Sequence, residues 1–141
     1  MANQTENREA GLQDGKQRRL VAAAQHFYQG ELVSFAAATG LLAKAGDNAG
    51  DRVAGIVVEE KDNTGVAAGA DPESRVLIQR EGEAEFVYGP GGATQANVGD
   101  EVVASDSQTV TTAGAATNDV VVGTIVEVVD ATHVRVQLTE R

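Results

Sequence analysis

The chain has no cysteine and no tryptophan, only two prolines, and aromatic side chains at 4% of its 141 positions. Without cysteine there is neither a disulfide framework nor a thiol nucleophile, so stability must come from packing, association or a partner. Basic residues are scarce as well, 11 against 21 acidic, for a formal net charge of −10. The first 19 residues hold four basic and three acidic side chains, which leaves seven basic against eighteen acidic, a net −11, on the remainder. An acidic body repels phosphate backbones and anionic lipid, so neither nucleic acid nor a membrane is an expected partner. The longest apolar run contains Glu127 and falls far short of a membrane span. The opening Met1–Glu9 lacks an apolar core segment, so no secretory signal is expected there.

What is present is valine and glycine, the latter at 16 positions. Val120-Val-Val-Gly-Thr-Ile-Val-Glu-Val-Val129 is β-branched at almost every position, which suits a pleated sheet better than a helix. It is apolar on both faces when read with period two, the pattern of a buried strand, and it is the expected centre of the core. After a turn at Asp130-Ala131-Thr132, the alternating Val134-Arg-Val-Gln-Leu138 reads as the second strand of a hairpin.

The same pattern occurs earlier. Val53-Ala-Gly-Ile-Val-Val-Glu59 matches Val121-Val-Gly-Thr-Ile-Val-Glu127, and Gly30-Glu31 answers Gly99-Asp100 upstream. Gly30 and Gly55 are 25 residues apart, Gly99 and Gly123 are 24 apart. Downstream, Arg75-Val-Leu-Ile-Gln79 answers Val134–Leu138. Two copies of one β unit, about 30–80 and 99–138, are expected. Two copies are too few for a solenoid and suit a small barrel or sandwich. The fold expected is therefore all-β, a small antiparallel barrel or sandwich of nine or ten short strands. It forms a single domain over residues 19–141 behind a flexible N-terminal arm, residues 1–18.

Within it, Glu31–Phe35 with Gly40–Lys44 and Glu101–Ala104 with Thr109–Thr112 read as equivalent hairpins, a short helical turn at Ala36–Thr39 being the alternative for the first. Ala84, Phe86 and Tyr88 share the inner face of an alternating strand, and Phe27 and Tyr28 close one end of the core. Residues 60–74 and Gly89-Pro-Gly-Gly92 are loops.

Reactive chemistry is sparse. His26 and His133 are over a hundred residues apart, and neither has a neighbour that would complete a triad. His133 shares the outward parity of Arg135, and His26 reads as a cap on the core. Glu81, Glu83 and Glu85 lie on one exposed strand face, where carboxylates keep an edge soluble. Asp47-Asn-Ala-Gly-Asp51 has a calcium-loop look but lacks the spacing and the closing glutamate, so it reads as an Asx turn. No catalytic residue, metal site or cofactor is expected.

Gly30-Glu31, Val53 to Glu59, Val98-Gly-Asp-Glu-Val102, Val122 to Glu127 and Val134 to Val136 together resemble the capsid decoration, or structural cement, proteins of tailed bacteriophages. The resemblance covers roughly residues 20–138 and rests on structural glycines and core valines. It implies a β-barrel or β-tulip unit bound to the outer surface of an assembled capsid, as a trimer at three-fold positions, with the major capsid protein as partner. The implied location is the virion, assembled in the host cytoplasm. A β-sandwich module for carbohydrate or another ligand is the alternative, and an enzyme of the nucleotide-hydrolase barrel type is a third reading.

The arm carries Lys16, Arg18 and Arg19 where it meets the acidic body, and such a segment can order on contact by adding a strand to a partner's sheet. Deleting residues 2–15 should leave the melting temperature nearly unchanged, yet weaken binding to phage heads at least about tenfold, roughly 1.4 kcal/mol. Unaltered affinity of the truncated protein would reduce the arm to a solvated tail.

Overall fold

The computed structural model describes residues 17–65 and 75–138. Most of the expected arm and the second part of the 60–74 loop, residues 66–74, lie outside the described residues. Gln17 and Arg18, placed in the arm by sequence, belong to a strand.

The described chain is all-β. Its strands are β1 (Gln17–Val21), β2 (His26–Phe27), β3 (Leu32–Phe35), β4 (Leu42–Lys44), β5 (Arg52–Val57), β6 (Lys61–Asp62), β7 (Arg75–Gln79), β8 (Glu83–Tyr88), β9 (Glu101–Ala104), β10 (Thr109–Thr112), β11 (Val121–Asp130) and β12 (His133–Leu138). A single 3-10 turn, Gln95–Asn97, is the one helical element among the described residues. The strands beyond the expected nine or ten include the two-residue pair β2–β6.

The halves repeat one topology. The second half is a closed barrel, β10-β8-β12-β11-β9, and the first a sheet of order β1-β7-β5-β3-β4. Matching β1 to β8, β3 to β9, β4 to β10, β5 to β11 and β7 to β12 makes the two orders identical. The barrel is closed by a parallel pairing, Tyr88 opposite Val110, with the Gly89 N–H donating to the Val110 carbonyl at 2.8 Å. The first sheet meets its own far edge the same way. Ala22 forms a parallel bridge to Leu42, and the Ala23 N–H donates to the Leu42 carbonyl at 2.8 Å. The repeat thus begins with β1, upstream of the Gly30 start read from the sequence. Strand β7 also matches β12 one residue earlier than that reading, because Gln79 is opposite Ile56 as Gln137 is opposite Thr124.

Two glycines make both closures possible. Each barrel has a bulge at the same place, Ala54 extra between Val53 and Gly55, and Val122 extra between Val121 and Gly123. Bulges coil a strand sharply, as a small barrel needs. At Gly55 the backbone crosses the Gln79 carbonyl, and at Gly123 the Gln137 carbonyl, so closely that any Cβ would overlap the oxygen. The loop into each barrel is tied at the same point: the Gly30 N–H donates to the Val57 carbonyl at 2.9 Å and the Gly99 N–H to the Ile125 carbonyl at 2.8 Å.

The first core is Ala22, Phe27, Val33, Leu42, Ala54, Val57, Val76 and Ile78. The second is built on Phe86, Tyr88, Val102, Val110, Val122, Ile125, Val134 and Val136. Fully burying one such aliphatic or aromatic side chain contributes roughly 1.5–3 kcal/mol. The valine stretch that sequence placed at the centre is only half a core strand. Val122 and Ile125 are inside, whereas Val126 and Val129 are exposed, because two bulges break the period-two parity there. Tyr28, expected to close the core with Phe27, is 50% exposed while Phe27 is wholly buried.

Gly55→Ala and Gly123→Ala should each lower the free energy of unfolding in urea by about 2–4 kcal/mol, because backbone must shift to admit the methyl group. A loss under about 0.5 kcal/mol at either position would contradict the close crossing.

Candidate functional site

Three places concentrate polar or exposed apolar groups: the seam between the barrels, a cleft at one end of it, and the outer face of the β11–β12 hairpin.

The seam forms because β3 and β5 carry apolar residues on both faces. Val33, Ala54 and Val57 point into their own core, while Leu32, Ala45 and Val53 pack into the second core, with Ile56 beside them. Equivalent segments face each other, since Asp51, Arg52 and Val53 line one small cavity of about 70 Å³ with their counterparts Asp119, Val120 and Val121. An isologous dimer has the same arrangement of like patches. The Leu32 N–H donates to the Ser107 carbonyl at 2.7 Å across the seam.

Two carboxylates fix it. Asp47 accepts the backbone N–H groups of Thr117 at 2.8 Å and Asn118 at 2.7 Å, and the Asn118 amide donates to the Asp47 carbonyl at 2.9 Å. Those two N–H bonds, followed by the side-chain amide of Asn118, hold the Asp47 carboxyl below its ordinary range. Glu31 accepts from the Ser107 hydroxyl, the Tyr28 N–H at 2.8 Å and the Lys44 ammonium at 3.4 Å. Partial burial raises the Glu31 carboxyl, and those donors outweigh it, so the net shift is downward. The Asx turn expected at Asp47–Asp51 is replaced by a backbone β-turn, the Asp51 N–H donating to the Asn48 carbonyl at 3.3 Å. Its two carboxylates serve backbone donors elsewhere, Asp51 accepting from the Ala37 N–H at 2.9 Å.

The cleft, about 480 Å³, is lined by Tyr28, Gln29, Glu31, Glu85, Gln108 and His133 among others. Of the two histidines that sequence left unrelated, His133 lines it, and His26 is connected to it only through the Tyr28 ring. His26 stacks on Tyr28 with ring centroids 4.1 Å apart and bonds Glu60 at 2.7 Å, so it caps an exposed ring rather than the core. His133 reaches Asp130 at 3.1 Å and the Thr132 hydroxyl at 2.9 Å. The Thr132 N–H first, then the His133 ring and the Thr132 hydroxyl, pull Asp130 down to about 2. Lys44 stands 5.2 Å from the Tyr28 ring centre, so this aromatic is engaged by His26 and by a cation.

Of the glutamates read as one face, Glu83 and Glu85 are exposed on β8. Among the described residues no three His, Asp or Glu side chains converge to hold a metal ion. No described helix is long and apolar enough to cross a membrane.

The outer face is generated by the two extra residues of β11. The register runs Ile125 to Val136, Glu127 to Arg135, Val128 to Val134 and Asp130 to His133, so Val126 and Val129 have no partner on β12. Ile125 is buried and Val128 packs against the core, while Val126 and Val129 turn outward beside Glu127 and Asp130. Val98, also exposed, comes up to the same strand, because the N–H of the next residue, Gly99, is bonded to the Ile125 carbonyl. Sequence missed the seam and this face. Its one signal for the seam is the equal spacing of Ala45-Gly46 to Asp51 and Ala113-Gly114 to Asp119, which marks two loops of one length.

No protein-family model matches the chain, and none of the curated proteins matches it.

The depressed carboxyls set a pH dependence. Each has a folded pKa below its unfolded value, so its contribution is complete above the ordinary value, 3.8 for Asp47 and Asp130, and is lost as pH falls through the folded value. Urea midpoints should hold steady above about pH 5 and fall toward pH 2. Asp47→Ala should lower the midpoint at neutral pH and show a smaller acid loss. Parallel curves for variant and wild type would remove Asp47 from the account of the seam.

Proposed function

We propose that the chain is a capsid decoration protein that binds the outer surface of an assembled phage head and stabilises it by bridging major capsid subunits. The observation that carries this reading is how the polar groups are used. Asp47, Glu31, Asp51 and Asp130 bond the protein's own backbone and loops, and no three His, Asp or Glu side chains among the described residues converge to hold a metal ion. A protein built this way works through its surface. The glycines and valines of the resemblance support the same reading, since they are the residues that close and fill the two barrels. The acidic exterior favours the outside of the shell, away from packaged nucleic acid. Association as trimers at three-fold positions is part of the proposal.

The physics is linkage. A ligand that binds only the assembled shell stabilises it by RT ln(1 + [L]/Kd) per site, roughly 2.7 kcal/mol at a hundredfold excess over Kd. The carbohydrate-module reading draws on the cleft and on Tyr28, half exposed beside it. Against it, the Tyr28 ring is stacked by His26 at 4.1 Å and approached by Lys44 at 5.2 Å, which leaves little open platform for a sugar.

Mixing the protein with undecorated heads should give saturable binding and raise their resistance to heat and chelators. Absence of binding, together with a clear hit on a glycan array, would replace this reading with the alternative.

A further inference from the structure

Granting the surface role proposed above, we infer that the doubly bulged face of β11–β12 is the docking surface. Its partner is a protein surface presenting an apolar strip flanked by lysine or arginine. Val98, Val126 and Val129 are 36%, 39% and 44% exposed, three of the four large apolar side chains left open among the described residues. Val126 and Val129 are the two residues the bulges leave without a partner on β12, and Val98 precedes Gly99, whose N–H is bonded to the Ile125 carbonyl. A single valine at the surface is ordinary, but three clustered around two bulges are not.

The first barrel acts as an internal control. The counterpart of Val126 is Val58, which is half-buried just past the end of β5, and the counterpart of Val98 is Gln29. Strand β5 spans 6 residues and closes its barrel, whereas β11 spans 10, and Val126 to Asp130 form its extension. The extra length and its bulges are therefore not required by the fold. Bulges of this kind re-aim side chains, and here each one turns a valine out of the core.

Charge selects the occupant. Glu127 and Asp130 are chain neighbours of Val126 and Val129, Glu101 is opposite Thr124 and Asp100 is bonded to Ile125, and all four carboxylates are exposed. The one arginine nearby is already engaged, Arg135 with Glu127 at 3.8 Å, and the His133 ring is bonded to Asp130 at 3.1 Å. A second copy would set acid against acid, so the face does not fit itself. A partner carrying lysine or arginine beside apolar side chains satisfies both the valines and their rim. Rim charges of this kind act chiefly on association rate and on salt dependence.

The test uses the full chain and undecorated heads. Val126→Asp with Val129→Asp should weaken binding at least about tenfold with little change in melting temperature. If that variant does not fold, Val126→Thr with Val129→Thr keeps the β-branched shape and should weaken binding in the same direction. Glu101→Lys with Glu127→Lys should also weaken it, and wild-type affinity should fall as salt rises. Folded variants that decorate heads like wild type, or wild-type binding that strengthens with salt, would overturn this face while leaving the capsid role standing. Wild type that does not bind heads would overturn both.

Discussion

Closing five short strands into a barrel brings two backbones into contact, and only glycine fits where they cross. Gly55 lies against the Gln79 carbonyl and Gly123 against the Gln137 carbonyl, each one residue past a bulge. The bulge supplies the coil, the glycine removes the Cβ, and the parallel pairing at Leu42 or Val110 completes the circuit. The rest of the molecule depends on this device being used twice. Once both barrels close, their inner positions are filled by valine, leucine, isoleucine and phenylalanine, and the chain has two small cores in place of one large one.

Divergence between the copies then decides how the pair is held and what it shows to solvent. Leu32 packs across the seam, whereas its counterpart Glu101 is exposed, and half-buried Ile56 has the polar counterpart Thr124. Asp47 clamps the opposite loop, whereas Ala115 occupies the equivalent place. The first barrel has thus become the one that docks inward. The second keeps its extended hairpin free, with Val126 and Val129 raised on bulges among carboxylates. Structure and proposed role meet in that asymmetry: one copy secures the body and the other presents a surface.

Much of the fold was legible in the residues. The Val-x-Gly strands and the alternating Ala84-x-Phe86-x-Tyr88 fall where their patterns placed them, and Gly30 and Gly99 are equivalent positions, although each repeat begins one strand earlier. What failed did so for physical reasons. Period-two parity assumes no extra residues, so Val126 and Val129 were assigned to the core until two bulges turned them outward. Ala22 and Leu20 are weak echoes of Tyr88 and Phe86, so β1 was not recognised as the first strand of a repeat. Tyr28 could not be separated from Phe27 by sequence, because its exposure is set by a stack with His26 and by the course of a cleft wall. The seam contacts of Asp47 join residues about seventy positions apart, a separation at which local pattern carries no information.

The central claim is that one closure is built twice, and amide exchange on the free protein tests it most directly. The Ala23 N–H donates to the Leu42 carbonyl at 2.8 Å and the Gly89 N–H to the Val110 carbonyl at 2.8 Å, matched bonds at matched closures. Both amides should be protected from exchange, because each is released only when its barrel opens. Protection at Gly89 with free exchange at Ala23 would mean that only one barrel closes, and would contradict the account.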